Sequence, residues 1–240
     1  MKRFERLAML AVGAASVLAS FAPVVATASD ASASTAAAAA PAVFQHPLDA
    51  AAVAELLAPV GKTTRDAASL RGSFVQRKFL HELPQPLLSS GEFLVARGAG
   101  VDWHTHKPFD SEVLLTQAAL IQRGPDGKPQ RVDASQRPGL AAVSQVFDAL
   151  FALDIDKLSQ SFTLFGDKDA KEPKEPKAWL LGLAPREAAF AKFIAQIVVA
   201  GAAEPKLITM YEASGDRTEI ELSGISAQAT LSDADRQHFQ

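Results

Sequence analysis

The sequence predicts a mainly β fold, in the form of a half-open, strongly curved antiparallel β-barrel of about ten to eleven strands with inserted helices. The first observation is a series of short, strand-like runs, separated by glycine, proline and small polar residues. The second is an amphipathic helical stripe that interrupts this series in mid-chain. A sheet that curls around apolar helices either fills its interior with side chains or keeps a cavity.

The first half of the chain begins with one predicted helix and continues with five predicted strands. Apolar residues at helical spacing predict a helix over 48–58, which Pro59 and Gly61 bring to an end. Alternation of side-chain character then predicts a strand over 70–79. Further strands are predicted over 90–98, 100–107, 111–116 and 119–124. Because no helix separates these runs, neighbouring strands are expected to pair antiparallel.

The second half combines helices and strands. A polar loop over 124–138 precedes a predicted amphipathic helix over 139–153, and a short helix is predicted over 154–162. Strands are then predicted over 161–166, 178–185 and from about residue 193 to 201. Gly215 and Asp216 lie between two alternating runs, which predicts a β-hairpin close to the end of the chain.

The N-terminus has the layout of a secretory signal peptide over 1–28. Basic residues precede the charge-free, apolar stretch 7–29, and small residues before Ala28 fit signal-peptidase cleavage after that residue. A second candidate cleavage site lies at 31–33. The alternative is an uncleaved membrane anchor, which the small residues and Pro23 make a poor one.

The signal peptide predicts export and a periplasmic location for the mature protein. An Ala/Ser-rich disordered linker is expected over 29–46, a folded domain over 47–228 and a C-terminal tail over 229–240. The chain contains no cysteine, which excludes a disulfide and a lipid-acylated N-terminal cysteine. Its formal net charge of −3 gives no indication of nucleic-acid binding.

The run 100–107 places a carboxylate and two imidazoles on one side of a predicted strand. These residues are Asp102, His104 and His106. One hypothesis is a zinc site, because imidazole and carboxylate are zinc ligands. The other is a solvated outer face, since His-X-His alone is a weak signal and the remaining histidines show no ligand spacing. We expect the outer face, with no metal site and no catalytic residue in the chain.

Arg97 shares its side of a predicted strand with Phe93 and Val95. In one interpretation the strand ends there, and the guanidinium reaches water while its stem covers apolar neighbours. In the other, the guanidinium lies at the mouth of an apolar cavity and donates hydrogen bonds to backbone carbonyls or to a ligand's polar head. The spacing alone leaves both interpretations open.

An ordered set of residues in the stretch 72–116 resembles the N-terminal half of the LolA-type outer-membrane lipoprotein carriers. The matching residues are Phe74, Gln76, Gly91, Phe93, Arg97, Trp103 and Pro108. The later Gly-Asp-Arg-Thr segment, 215–218, is similar to a hairpin of the same family. The resemblance extends over about residues 50–225. Gly98 stands where the best-known carriers have proline after the arginine, as in LolA-like proteins found with lipid or pigment export clusters.

The resemblance implies a carrier that shields acyl chains between its sheet and a helical lid. It implies that Arg97 gates this lid through hydrogen bonds to the segment around 140–153. The implied cargo is a lipoprotein or a related lipid-linked molecule, taken from an inner-membrane exporter and passed to an outer-membrane acceptor. A monomer without a cofactor is expected. The candidate lining residues are Phe74, Phe93, Val95, Trp103, Leu115, Phe147, Leu150 and Phe151.

Two other classes of function fit the sequence less well than the carrier. A sensor module with the same half-barrel would recognise lipidated proteins, but such modules usually carry a further domain, for which little chain follows residue 225. An enzyme would need a nucleophile motif, paired carboxylates in a recognisable context or a glycine-rich phosphate loop, and the sequence contains none of these motifs.

Overall fold

An antiparallel sheet of eleven strands organises the computed structural model, which describes residues 41–45, 47–136, 149–151, 153–167 and 178–239. The strands are β1 Ser69–Phe79, β2 Leu87–Ala96, β3 Gly100–Lys107, β4 Ser111–Thr116, β5 Ala119–Arg123, β6 Pro129–Asp133, β7 Phe162–Asp167, β8 Trp179–Pro185, β9 Ile194–Gly201, β10 Pro205–Glu212 and β11 Arg217–Gln228. Their order in the sheet is β6-β5-β4-β3-β2-β1-β11-β10-β9-β8-β7. The sheet is strongly curved and does not close, which confirms the predicted fold class.

Short helices flank and cover this sheet. They are α1 Ala50–Leu56, α2 Lys62–Arg65, α3 Ile155–Ser161, α4 Ala188–Ala191 and α5 Asp233–His238, with 3-10 turns at Ala42–Gln45 and Ala134–Gln136. The Asp49 and Asp154 carboxylates cap α1 and α3, since each accepts a hydrogen bond from a first-turn amide. Within the described ranges, no helix is long and apolar enough to cross a membrane.

Two segments differ from the sequence-based expectations. Strand β6 lies inside the predicted polar loop 124–138; it is an exposed edge strand of polar composition, so apolar alternation does not mark it. Ala42–Gln45 was expected within the disordered linker, but Val43 is buried and the Phe44 ring packs edge-on against Phe165 at 5.3 Å. Packed structure therefore begins before Pro47. The predicted signal peptide, linker residues 29–40 and helix residues 139–148 lie outside the described residues.

The main core fills the concave face of the sheet. In the second half of the chain, alternate residues of β10 and β11 point inward, including Ile208, Met210, Ile220 and Leu222. Trp179 on β8 is almost fully buried, and its indole N–H donates a 2.8 Å hydrogen bond to the carbonyl of Ala202. That bond satisfies the one polar group of the side chain, so the ring contributes its apolar area at no cost in unpaired donors.

One polar cluster ties the β1–β2 connection to the β10–β11 hairpin. The predicted turn is present, with Gly215 at φ +92°, a left-handed conformation that favours glycine. Asp216 in this turn accepts hydrogen bonds from the backbone amide of His81, at 3.0 Å, and from the hydroxyl of Ser214, at 3.0 Å. The His81 ring nitrogen Nδ1 also lies 3.0 Å from the Asp216 carboxylate.

This pair predicts a pH dependence. The hydrogen bond to Asp216 raises the pKa of His81 above its usual value of 6.5. A raised pKa in the folded state means that the pair stabilises the fold fully below pH 6.5 and less as the pH rises through the folded pKa. We expect an NMR titration of His81 to show this elevated pKa, and Asp216→Asn to lower it. An unchanged His81 pKa in Asp216→Asn would contradict the prediction.

Candidate functional site

An aromatic wall on the concave face is the most distinctive feature of the site. Phe74, Phe93 and Trp103 come from the adjacent strands β1, β2 and β3. The Phe74 and Trp103 rings stack with centroids 3.9 Å apart, and Phe93 lies parallel to Trp103 at 6.0 Å. Such stacking adds about 0.5–1.5 kcal/mol per pair to the stabilisation from burial. The three side chains therefore form one continuous apolar surface.

Two glycines lie opposite these rings, and one of them makes room for a ring. Gly72 lies opposite Phe93 in the β1–β2 pair, and Gly91 lies opposite Phe74. A Cβ atom on Gly72 would lie 2.8 Å from the Phe93 ring, closer than side chains allow. At Gly91 a Cβ atom would instead meet the backbone of the neighbouring strand β3, with the His104 carbonyl oxygen 1.9 Å away.

Helical residues from the connection between the sheet edges cover the aromatic wall. Strands β6 and β7 are the two edges of the sheet, and the chain passes from one to the other through residues 134–161. Within this connection, Leu150 and Phe151 are buried in the main core, and the Phe151 ring lies 5.8 Å from that of Phe93. The described side chains thus fill the interior in a closed arrangement.

One small crevice lies beside the described part of this cover. A crevice of about 10 Å³ is lined by Ala67, Ala68, Ser69, Leu70, Val95, Arg97 and Phe151. This volume is about that needed for one water molecule. Phe151, which packs against Phe93, forms one wall of this crevice.

The predicted lining residues are distributed between two buried clusters. Phe74, Phe93, Val95, Leu150 and Phe151 belong to the main core. Leu115 lies in a second cluster with Val113 and Leu120. Trp103 is half-buried and packs against both clusters, so it links them. Phe147 lies outside the described residues. A role for these side chains in binding a ligand stays a prediction.

The sequence-based lining set missed polar side chains on the same face. Gln76 on β1 and Thr218 on β11 are both buried there, at 6% and 2% exposure. Farther along the same face, Lys78 and Glu212 form an ion pair at 3.1 Å, and the Thr218 hydroxyl donates to Glu212 at 3.2 Å. The alternation in the two strands could have placed these residues on the concave side. The interior thus has an apolar end and a polar end.

Arg97 lies at the rim of the crevice. Its guanidinium Nη2 donates a 2.6 Å hydrogen bond to the carbonyl of Arg65, the last residue of α2. Its backbone amide donates to Ala68 at 2.9 Å. The side chain is exposed, and Arg97 lines the crevice together with Phe151. A gating role for Arg97 stays a prediction. Most of the expected partner segment, 140–153, lies outside the described residues, which include only 149–151 and 153 of it.

The histidine strand faces outward, as expected. His104 and His106 are on the convex face, where both lie near the Asp110 carboxylate. Asp102, on the same face, is only 16% exposed, because α5 from the predicted C-terminal tail packs over it. An ion pair between Arg71 and Asp235 holds this helix, and His238 Nε2 lies 2.9 Å from Asp102 Oδ2. Burial and the adjacent Glu112 raise the pKa of Asp102, although His238 opposes this shift.

Solved structures of low sequence identity share parts of this architecture. One is a putative outer membrane lipoprotein-sorting protein domain from Vibrio parahaemolyticus, with 11% identity and a TM-score of 0.42 over 79% of this chain and 97% of that chain. Another is a LolA superfamily protein from Nitrosomonas europaea, with 13% identity and a TM-score of 0.42 over 78% and 96%. The Pseudomonas aeruginosa MucA/MucB complex aligns with 14% identity and a TM-score of 0.43 over 79% and 60%.

Comparison at the level of sequence defines the family. No curated protein sequence matches the chain significantly. The model of the family described as outer membrane lipoprotein carrier protein LolA matches residues 65–237, which include every strand from β1 to β11 and most of α5. This confirms the resemblance found in the sequence. The chain therefore belongs to the LolA family of outer membrane lipoprotein carriers.

Proposed function

We propose that this protein is a periplasmic carrier that binds the acyl chains of a lipoprotein, or of a related lipid-linked cargo, and moves it from the inner towards the outer membrane. The observation that carries this proposal is the aromatic wall of Phe74, Phe93 and Trp103, set in an open half-barrel and covered by Phe151. Membership of a lipoprotein-carrier family supports the class of cargo. The signal-peptide layout of residues 1–28 supports the location.

The energetics of such a carrier follow from burial of methylene groups. Each methylene taken out of water contributes about 0.8 kcal/mol, so one long acyl chain contributes on the order of 10 kcal/mol. Displacement of Phe151 and its neighbours from the interior costs part of this free energy. The balance leaves the cargo bound firmly enough to cross water and weakly enough to pass to a membrane or an acceptor.

Opening of the cover is the conformational step that this proposal requires. The cover makes its contacts through apolar side chains of 149–151 and residue 153, while the sheet itself is held by continuous strand pairing. Apolar contacts of a short segment open at a lower cost than a paired strand. In the proposed cycle the cover moves, the cargo replaces it on the aromatic wall, and the cover returns when the cargo leaves.

Native mass spectrometry of protein purified from the periplasm without detergent tests the proposal. We expect a non-covalent adduct that organic extraction identifies as an acyl-chain species. Protein stripped of this adduct should bind an acylated lipopeptide with a stoichiometry of one. The absence of both an adduct and lipopeptide binding would overturn the proposal.

A variant at the rim tests the gating role proposed for Arg97. Arg97→Leu removes the hydrogen bond to Arg65 and should leave the fold intact, because the side chain is exposed. In this proposal the hydrogen bond to Arg65 forms in the closed arrangement only, so its loss, about 1 kcal/mol, would shift the balance towards the open arrangement by about fivefold. We therefore expect slower release of labelled lipopeptide to acceptor membranes, measured by fluorescence transfer.

Arg131→Leu is the matched control for this experiment. Arg131 is an exposed arginine on the edge strand β6, and its guanidinium pairs with Asp133 far from the aromatic wall. Its loss should not change the rate of transfer. Transfer by Arg97→Leu at the wild-type rate would show that Arg97 has no gating role.

A further inference from the structure

Three potential metal ligands from separate parts of the chain meet on the convex face. Asp102 lies on β3, Glu112 on β4 and His238 on α5. His238 Nε2 is 2.9 Å from Asp102 Oδ2 and 3.6 Å from Glu112 Oε1. One oxygen or nitrogen atom from each residue lies within 4.8 Å of the others. The site is separate from the aromatic wall, because these side chains point to the opposite face of the sheet.

We propose that Asp102, Glu112 and His238 bind a zinc ion that fastens the C-terminal helix α5 to the sheet. Zinc takes imidazole nitrogen and carboxylate oxygen at about 2.0–2.2 Å in tetrahedral geometry, which places neighbouring ligand atoms about 3.3 Å apart. The observed separations of 2.9 and 3.6 Å lie on either side of this value. Ligation therefore requires only small movements of side chains.

A second observation at this site is an unsatisfied acceptor. Asp102 Oδ1 is buried and has no hydrogen-bond partner. The Asp102 side chain as a whole is 16% exposed. A buried carboxylate oxygen without a partner is costly, and a bound cation removes this cost. Arg123 pairs with Glu112 through Oε2, which leaves Oε1 directed towards His238. Arg123 thus orients the second carboxylate.

The surroundings leave one side of the site open. A groove of about 550 Å³ on the convex face is lined by Asp102, His104 and His238 together with residues of β1, β2 and α5. Three protein ligands and an accessible fourth position, filled by water, are a common zinc arrangement. The nitrogen in the set favours zinc over calcium or magnesium, which prefer oxygen ligands.

The neighbouring histidine cluster fits a metal less well. His104, His106 and Asp110 also lie close enough together to share an ion. Their side chains are 38%, 44% and 68% exposed, however, whereas the two carboxylates of the proposed site are each 16% exposed. Among the described residues, none of these three has a buried polar atom without a hydrogen-bond partner, as Asp102 has. They provide the control for the test.

The ligands are held in place before any ion binds. The Ser232 hydroxyl caps α5 by accepting from the Asp235 amide at 3.1 Å, and Arg71 pairs with Asp235. The His238 ring also packs edge-on against Phe239 at 5.4 Å. A prearranged ligand set loses little conformational entropy on binding, which favours affinity.

Isothermal titration of chelator-treated protein with zinc chloride tests the site. We expect one zinc ion per chain. Asp102→Asn and His238→Gln should each weaken binding at least tenfold, whereas the double variant His104→Ala with His106→Ala should bind as the wild type does. His238→Gln changes a side chain of the C-terminal helix and leaves the sheet unaltered. Weaker zinc binding by this variant therefore cannot result from damage to strand β3.

Tryptic cleavage after Arg236 supplies an independent readout. Zinc should slow this cleavage in the wild type and in the His104/His106 double variant, but not in His238→Gln, because the ion fastens α5. No zinc binding to the wild type would overturn the proposal. Unweakened zinc binding by both Asp102→Asn and His238→Gln would also overturn it. So would a loss of zinc binding seen only in the His104/His106 double variant.

Discussion

Gly91→Ala is expected to lower the free energy of unfolding by about 3 kcal/mol. A Cβ atom at this position would lie 1.9 Å from the carbonyl oxygen of His104 on the neighbouring strand. Both atoms belong to or adjoin backbone, so no side-chain rotation relieves the overlap, and β2 and β3 must separate locally. The β2–β3 register shifts between Ser90 and Gly91, which marks the same close approach. Urea unfolding followed by circular dichroism measures the effect.

Gly124→Ala is the control for this substitution. A Cβ atom there would have its nearest neighbour at 3.7 Å, an ordinary contact with the flexible Asp126 side chain. Its effect on the free energy of unfolding should remain within about 0.5 kcal/mol. Equal effects of the two substitutions would show that the close approach at Gly91 does not determine stability.

Phe151→Ala is expected to increase the affinity for an acyl probe at least tenfold. The substitution removes the ring that lies against Phe93 and so weakens the closed arrangement. A Phe→Ala change in a core costs about 3–5 kcal/mol of stability. If about 1.4 kcal/mol of this cost falls on the closed arrangement relative to the open one, the affinity for the probe rises about tenfold. A fluorescent fatty-acid titration at equilibrium measures the change.

Phe165→Ala separates this effect from a general loss of stability. Phe165 is a half-buried phenylalanine that packs against Phe44, away from the aromatic wall. Its truncation should lower the free energy of unfolding without changing the affinity for the probe. Unchanged or weaker binding by folded Phe151→Ala would contradict the idea that Phe151 occupies the space of the cargo.

Sequence patterns were sufficient for those strands whose residues alternate. The runs that became β1 to β5, and the hairpin at Gly215, were located within a few residues because alternation and turn chemistry agree there. Strand β6 was missed because an exposed edge strand has no buried face to leave a pattern in its side chains. The packing of Ala42–Gln45 was missed because an alanine-rich run resembles a flexible linker.

Predictability of the candidate sites also differed with the sequence distance between their residues. Phe74 and Phe93 could be placed on one face from local alternation, and Phe151 from the helical stripe that contains it. The cluster at Asp102 and His238 could not, since 136 positions separate these residues and α5 reaches the convex face only through tertiary packing. A contact between residues so far apart in sequence leaves no local spacing pattern.

The pairing of the first strand with the last has a consequence for the order of folding. β1 pairs with β11 in the middle of the sheet, from Ser69 opposite Gln228 to Phe79 opposite Arg217. Until β11 is available, β1 and β10 each present an unpaired edge, and the sheet remains in two separate parts. Closure of so long a loop is slow and must await synthesis of nearly the whole chain. We expect a chain of this topology to lack its central β1–β11 pairing until the last strand has emerged, which is the unfolded condition that the proposed export would need.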